Sequence, residues 1–359
     1  MLNIFEYSIP FRSPFITASN TYNKRNGLII EFTHQDNSYV CEAAPLPGFS
    51  KETTGDVKSI LLKRKDDLDI FFKSTFDVPK LNDFLGELPN FPSLQFALSY
   101  LGFEILADRK SNSRIQNLKN RPVKRILINE IIGAESGKNI QHKIENGIKN
   151  GFNTFKIKSP FPVDNLIENL KIACEKFPEI KLRLDANQSW PHDKLTEIGE
   201  KLRPLPIEYI EEPSGLVAPQ KSQSILSIPV ALDESIKSLE KLSNLLKTEP
   251  EFFVVIKPML LGNFFTIIET ISKYRSNYNN IVVTTSLESI IGRSMITNVA
   301  AMVGDPDLAH GLNTGKYFTN DLIDNKPDIK GTFQYSEWCN TPKISDLNQT
   351  LITLCIEEY

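Results

Sequence analysis

Cysteine is scarce and scattered. The four thiols, Cys41, Cys174, Cys339 and Cys355, show no CxxC spacing, which argues against a zinc site and a dense disulfide framework and suits a reducing compartment. No apolar run approaches the roughly 20 residues of a membrane span. The opening MLNIFEYSIPFRSP lacks a basic start followed by an apolar core, so a cytosolic (cytoplasmic) protein with no membrane partner is expected. Positive charge is not in excess either: a net charge of −3 supplies no global basic field. Lysine-rich stretches such as LLKRKDD lack interleaved stacking aromatics and read as solvated helix faces, so no nucleic-acid partner is expected. What remains is a chain of ordinary polarity, whose 359 residues suffice for one large domain plus a smaller one.

Two patterns divide it. In residues 1–120, FEYSIPF, NGLIIEFTH and SYVCEAAPL alternate or run apolar like antiparallel strands. DVKSILLKRKDDLDIFFKS and SLQFALSYLGFEILADRK then carry helix-period apolar positions, which predicts an α+β domain. Between strands and helices lies PLPGFSKETTGD, a turn-rich loop suited to covering something. From VKRILINEII onward strands and helices alternate, with eight strand candidates between residues 124 and 312, the pattern of a parallel sheet with helical crossovers. The expected division is a barrel over residues 121–318 and a tail, 319–359, packing back on the first domain.

The strand candidates TFKIK, LRLDAN, IEYIEEP, PVALDES and FFVVIKP each end in charge: Lys156 and Lys158, Asp185, Glu211, Asp233 and Lys257. The steps from 158 to 185, 211, 233 and 257 are 27, 26, 22 and 24 residues, close to one strand–helix unit each in a (β/α)₈ barrel of about 250 residues, where sites form at the strand ends. Residues i and i+2 of a strand share a face, so Lys156 pairs with Lys158, and Arg183 and Asn187 flank Asp185 on its inward face. Three carboxylates from consecutive strands repel one another unless a cation neutralises them, and all-oxygen ligation suits Mg²⁺. The lysines on either side of such a metal serve as proton handlers or as a cation facing a developing oxyanion. A lysine base needs its pKa lowered, and burial, the metal and the Lys156–Lys158 juxtaposition all act that way.

The set FKIK, LDAN, IEEP, LDES and IKP, with SLES and a Gly-rich last strand, resembles the enolase superfamily, muconate-lactonizing branch. The resemblance spans essentially the whole chain and implies an α/β fold: a (β/α)₇β TIM-like barrel with an N-terminal α+β capping domain. It further implies Asp185, Glu211 and Asp233 as metal ligands, Lys158 as the acid/base acting α to a carboxylate, and Lys257 as the lysine of the opposite face. Within the branch, EAAPLPGFSKET, IKPMLLG, TTSLESIIG and AHGLNTGKYF are most similar to the o-succinylbenzoate synthase family, lyases of menaquinone biosynthesis. That likeness implies a small carboxylate substrate and a syn-dehydration. Racemases of N-succinylamino acids and dipeptide epimerases of the same branch also use two lysines. The epimerases tend to carry an Asp-x-Asp motif on the last strand, where this chain has AHGLNTG.

Around this set, Lys156, Arg183 and Asn187 are candidate substrate contacts or supports for Lys158, and Ser286 is a candidate donor to the succinyl side chain. Glu288 is a candidate support for Lys257. Glu212 and Glu234 directly follow metal ligands, so alternation turns them away, and salt bridges are their expected role. His310 is expected to be packed and hydrogen-bonded. Gly311 and Gly315 permit close backbone approach or shape a turn. Asn263 and Asn313 depart from the family pattern and bear on pocket shape.

Overall fold

The computed structural model describes residues 1–16, 20–109, 115, 125–133, 138–216, 218–248, 251–274, 279–324 and 329–356. The expected junction at 120/121 and the start of the first strand candidate at residue 124 lie outside the described residues.

Three antiparallel strands open the chain: β1 (Leu2–Ile16), β2 (Thr21–His34) and β3 (Asn37–Ala43). Leu28, Ile29, Ile30, Phe32, Val40, Cys41 and Ala43 fill one core with the helices that follow. The stretch DVKSILLKRKDDLDIFFKS forms two helices, Thr54–Lys63 and Lys65–Lys73, parted at Arg64, whose ψ of 14° leaves the helical range. A capping box between Thr53 and Asp56 starts the first of them, ending the PLPGFSKET loop abruptly. The helix Pro92–Asp108 is buried almost all round, as a helix without a polar face must be. It lies between the capping sheet and the barrel, where Gly102 leaves room for Leu81, whose Cδ2 would sit 2.3 Å from a Cβ there.

Strands β5 (Glu130–Ile132), β6 (Thr154–Lys158), β7 (Lys181–Asp185), β8 (Ile207–Glu211), β9 (Val230–Leu232), β10 (Phe253–Ile256) and β11 (Ile281–Val283) form one curled parallel sheet in sequential order. The eighth position is not a full strand. His310 and Gly311 bridge in parallel to Ile128 and Thr284, so one segment joins both edges of the sheet. Gly311 allows this, since a Cβ there would lie 2.3 Å from Thr284 Oγ1. Tyr209, Ala231, Val255, Val282 and Leu308 pack together as a separate buried cluster.

VKRILINEII departs from the single-strand expectation. Arg125–Leu127 is a separate strand, β4, paired antiparallel with β12 (Thr332–Gln334), and only Glu130–Ile132 joins the parallel sheet. An apolar run fixes burial but not the partner edge, and here the C-terminal segment supplies one. The last strand, β13 (Ile352–Leu354), pairs antiparallel with β1 through Phe5 and Leu354. Among the described residues no helix is long and apolar enough to cross a membrane.

Candidate active site

Parallel register sets the height of each charged side chain. Lys158 is aligned with Asp185 and Asp185 with Glu211, so these three share a layer at the ends of β6, β7 and β8. Asp233 stands just past β9 and Lys257 just past β10. β6 and β10 are four strands apart around the sheet, which places Lys158 and Lys257 on opposing walls. Lys158 Nζ donates to Asp185 Oδ2 at 2.7 Å, Lys156 Nζ to Glu211 Oε1 at 2.6 Å, and Lys257 Nζ to Asp233. Lys156 also lies 3.0 Å from Asp185 Oδ2. Side-chain exposure separates the three amines: 40% for Lys158 against 15% for Lys156 and 19% for Lys257. Lys158 is therefore the most solvent-accessible of the three amines.

Charge crowding is the dominant electrostatic fact. Burial pushes the Glu211 carboxyl well above its usual range, the neighbouring Asp185 charge pushes it further, and Lys156 only partly offsets both. Asp185 is equally buried, but the two ammonium groups of Lys156 and Lys158 outweigh desolvation and hold its carboxyl low. Burial would lower Lys156, yet Asp185, Glu211 and Asp233 drive it well above the usual lysine value. Glu211 Oε2 is buried without a hydrogen-bond partner among the described residues. Ligand oxygens of Glu211, Asp233 and Glu234 lie within 4.8 Å of one another. An orphaned buried carboxylate oxygen among converging anions fits a hard divalent cation with oxygen ligands.

Four expectations are corrected by this geometry. Glu234 does not turn away. β9 ends at Leu232, so strand alternation no longer applies at Asp233 and Glu234, and Glu234 accepts from Asn187 Nδ2 at 2.5 Å. Glu212 does turn away but forms no salt bridge among the described residues. Its carboxylate accepts from the backbone N–H groups of Asp233 (3.0 Å) and Ser235 (2.7 Å), riveting the loop that carries Asp233. Arg183 is no substrate contact. Register aligns it with Lys156, one layer below the carboxylates. There it is fully buried, with its guanidinium held by Glu208 Oε2 at 2.6 Å and Ala309 O at 2.6 Å over the Tyr209 ring. Glu288 does not reach Lys257; its Oε2 accepts from Ser286 N at 2.5 Å.

Lys156 faces the site, but its ammonium is committed to Glu211 and Asp185. Asn187, at a φ of 44°, accepts from Lys158 Nζ at 2.5 Å. Ser286 Oγ is buried without a hydrogen-bond partner among the described residues. His310 accepts at Nδ1 from Val283 N at 3.2 Å, and burial lowers its pKa to about 3, so it stays neutral. Asn263 faces the cap, not the cleft, donating to Asn82 at 2.9 Å; Asn313 donates to Glu130 at 2.9 Å. A cavity of about 630 Å³ runs from Asp233, Glu234 and Lys257 to residues 48–51 of the cap loop, large enough for a small-molecule ligand.

Glu288 carries a pH prediction. Burial raises its carboxyl from 4.5 to about 7, against the partial relief given by Arg25. In the fold it holds a proton that the unfolded chain has already released. Stability therefore falls as pH rises from about 4.5 to 7, by about 3 kcal/mol in all, and is flat above that window. Glu288→Gln is expected to melt a few degrees above the parent at pH 8 and level with it at pH 5. Equal shifts at the two pH values in calorimetry would refute the assignment.

Residues 139–335 match the family described as Enolase C-terminal domain-like, and residues 1–105 match MenC, N-terminal domain. The o-succinylbenzoate synthase of Pasteurella multocida is 27% identical over 325 residues, 87% of this chain and 88% of that relative. Among solved structures, the o-succinylbenzoate synthase of Thermosynechococcus elongatus, complexed with Mg in its active site, superposes with a TM-score of 0.64 at 24% identity. It covers 86% of this chain and 92% of that one. The N-succinyl Arg/Lys racemase of Bacillus cereus gives a TM-score of 0.78 at 20% identity, over 98% and 99% of the two chains.

Proposed function

The chain belongs to the enolase superfamily, and from that premise we propose that it acts as an o-succinylbenzoate synthase. This is a magnesium-dependent lyase that dehydrates 2-succinyl-6-hydroxy-2,4-cyclohexadiene-1-carboxylate to 2-succinylbenzoate on the route to menaquinone, in the cytoplasm and without nucleic-acid or membrane partners. The single observation that carries the reading is the pair of amines on opposing walls, Lys158 bonded to Asp185 and Lys257 to Asp233, with Glu211 beside Asp185 in register. The match of residues 1–105 to MenC, N-terminal domain favours this member of the branch over its relatives. In this reading residues 1–120 cap the site, 121–318 carry the chemistry and 319–359 tie the barrel back to the cap.

Asp185, Glu211 and Asp233 would hold the Mg²⁺, which supplies positive charge opposite the anion that forms as the substrate loses its α-proton. Lys158, the most accessible of the three amines, takes the proton from the ring carbon bearing the carboxylate. The electrons of that C–H bond become the new C=C bond as the C–O bond of the adjacent carbon breaks. Lys158 returns its proton to the departing hydroxyl on the same face, so water leaves and the ring is aromatic. Asn187 Oδ1 and Asp185 Oδ2 orient that amine before the transfer. Lys257 stays cationic, because Asp233 outweighs its burial, and attracts the planar anion from the far side. Ser286 Oγ, without a hydrogen-bond partner among the described residues, is available to the succinyl group.

Mixing the protein with the cyclohexadiene substrate and Mg²⁺ is expected to produce the ultraviolet absorbance of the aromatic product. A second reading, racemisation of N-succinylamino acids, draws on the amine on each wall. Solvent deuterium entering Cα of such an amino acid, with no aromatic product from the diene, would replace the first reading by the second.

A further inference from the structure

The turn after β11 is built from the opposite domain. Leu287 lies between Ser286 and Glu288 at a φ of 64°, a left-handed conformation that costs a leucine energy and persists only when its surroundings impose it. Two buried guanidinium groups hold its carbonyl and the next. Arg25 of β2, 1% exposed, donates from Nε to Leu287 O at 2.9 Å; Arg293 donates from Nη1 to Glu288 O at 2.9 Å. The remaining donors of Arg25 reach Pro45 O at 2.6 Å, Ala44 O at 2.7 Å and Asn26 O at 3.0 Å, at the root of the loop whose residues 48–51 wall the cleft. Glu42 of β3 receives Ser289 N at 3.0 Å, Gly292 N at 2.8 Å and Tyr7 Oη at 2.6 Å, closing the N-terminus of the helix Ile290–Val303. Gly27 admits the Tyr7 ring, whose Oη would otherwise meet a Cβ at 2.4 Å.

The turn thus has its geometry set by groups outside the lining of the cleft, while Ser286 Oγ at its head is buried without a hydrogen-bond partner among the described residues. We propose that Arg25 is a positioning residue: by joining Leu287 O to the carbonyls of Ala44 and Pro45, it holds Ser286 and the 48–51 cap loop at a fixed separation, so that the two together recognise the substrate's distal, succinyl carboxylate. The capping domain then takes part in specificity through the barrel turn as well as by covering the mouth. This inference rests on the proposed function for its substrate, and on the structure alone for the bracket.

Arg25→Lys keeps the charge and loses the fork that meets several carbonyls at once. The expected result has three parts. Amide hydrogen exchange across residues 286–292 quickens while the helix Pro92–Asp108 keeps its protection. KM for the diene rises about tenfold to a hundredfold, the range for removing one partner of a charged hydrogen bond, with kcat changed much less. Ser286→Ala raises KM similarly, and the double variant is no worse than the poorer single one. In a Leu287→Gly background, where the left-handed conformation is free, the lysine substitution raises KM several-fold less. Unchanged exchange at 286–292, additive effects of the two substitutions, or loss of a cooperative melt in Arg25→Lys would each overturn the positioning role. If the parent makes no aromatic product, the proposed function fails by itself. The exchange comparison then decides the bracket, unaltered protection overturning it.

Discussion

Lys158→Ala is expected to lower turnover of the cyclohexadiene substrate by about 10⁴-fold, the upper end of what one acid–base group contributes. The upper end applies because a single amine is asked both to take the α-proton and to deliver it to the leaving hydroxyl. No neighbour can deputise: Lys156 Nζ is tied to Glu211 at 2.6 Å and to Asp185 at 3.0 Å, and Lys257 stands on the other wall against Asp233. Binding of the metal should not weaken, since the alanine removes a competing cation from Asp185 without touching a ligand oxygen. Single-turnover absorbance traces at saturating Mg²⁺ measure the loss. A variant that keeps more than about a tenth of parental turnover would remove Lys158 from both proton steps.

Glu211→Gln is expected to move activity and metal-free stability in opposite directions. Glu211 is buried, its carboxyl raised by desolvation and by Asp185, with one oxygen lacking a partner. Neutralising it relieves like-charge repulsion, so the metal-free variant should melt above the metal-free parent. The same change removes one of three ligand charges. At roughly 4 kcal/mol for a unit pair 4 Å apart in an effective dielectric near 20, the affinity for a divalent ion should fall about 10³-fold or more, and turnover with it. EDTA should abolish activity of the parent and excess Mg²⁺ restore it, while metal raises the parent's melting temperature and leaves the variant's unmoved. A glutamine variant that binds Mg²⁺ like the parent, or that melts lower without metal, would show that Glu211 is a structural carboxylate.

Both predictions rest on a pattern legible in the amino-acid sequence. Near-regular spacing of charged residues at the ends of apolar runs is enough to infer a barrel mouth, because a strand–helix unit consumes a nearly constant length of chain. Residue type then restricts the chemistry: three converging carboxylates call for a cation, and flanking amines for proton transfer. The β/α alternation, the cap strands and the bearing of Lys158, Asp185 and Glu211 on one mouth are all local consequences of periods 2 and 3.6 along the chain.

Depth and termination are not local. Period 2 says that Arg183 shares a face with Asp185. Only the register between β6, β7 and β8 puts it one layer down, neutralised by Glu208 and out of reach of a ligand. Period 2 also turns Glu234 outward, but β9 stops at Leu232, and the backbone beyond it brings that carboxylate back beside Asp233. Arg25 and Glu42 bond to the turn after β11 across chain separations of 262 and 247 residues, which no window of sequence contains. The amino-acid order by itself determined that Lys158, Asp185 and Glu211 stand at one mouth, since side-chain alternation and unit length are properties of short segments. Which of them face a ligand, and which merely hold the others still, was decided by packing between distant segments, where a buried charge must find its partner wherever the fold supplies one.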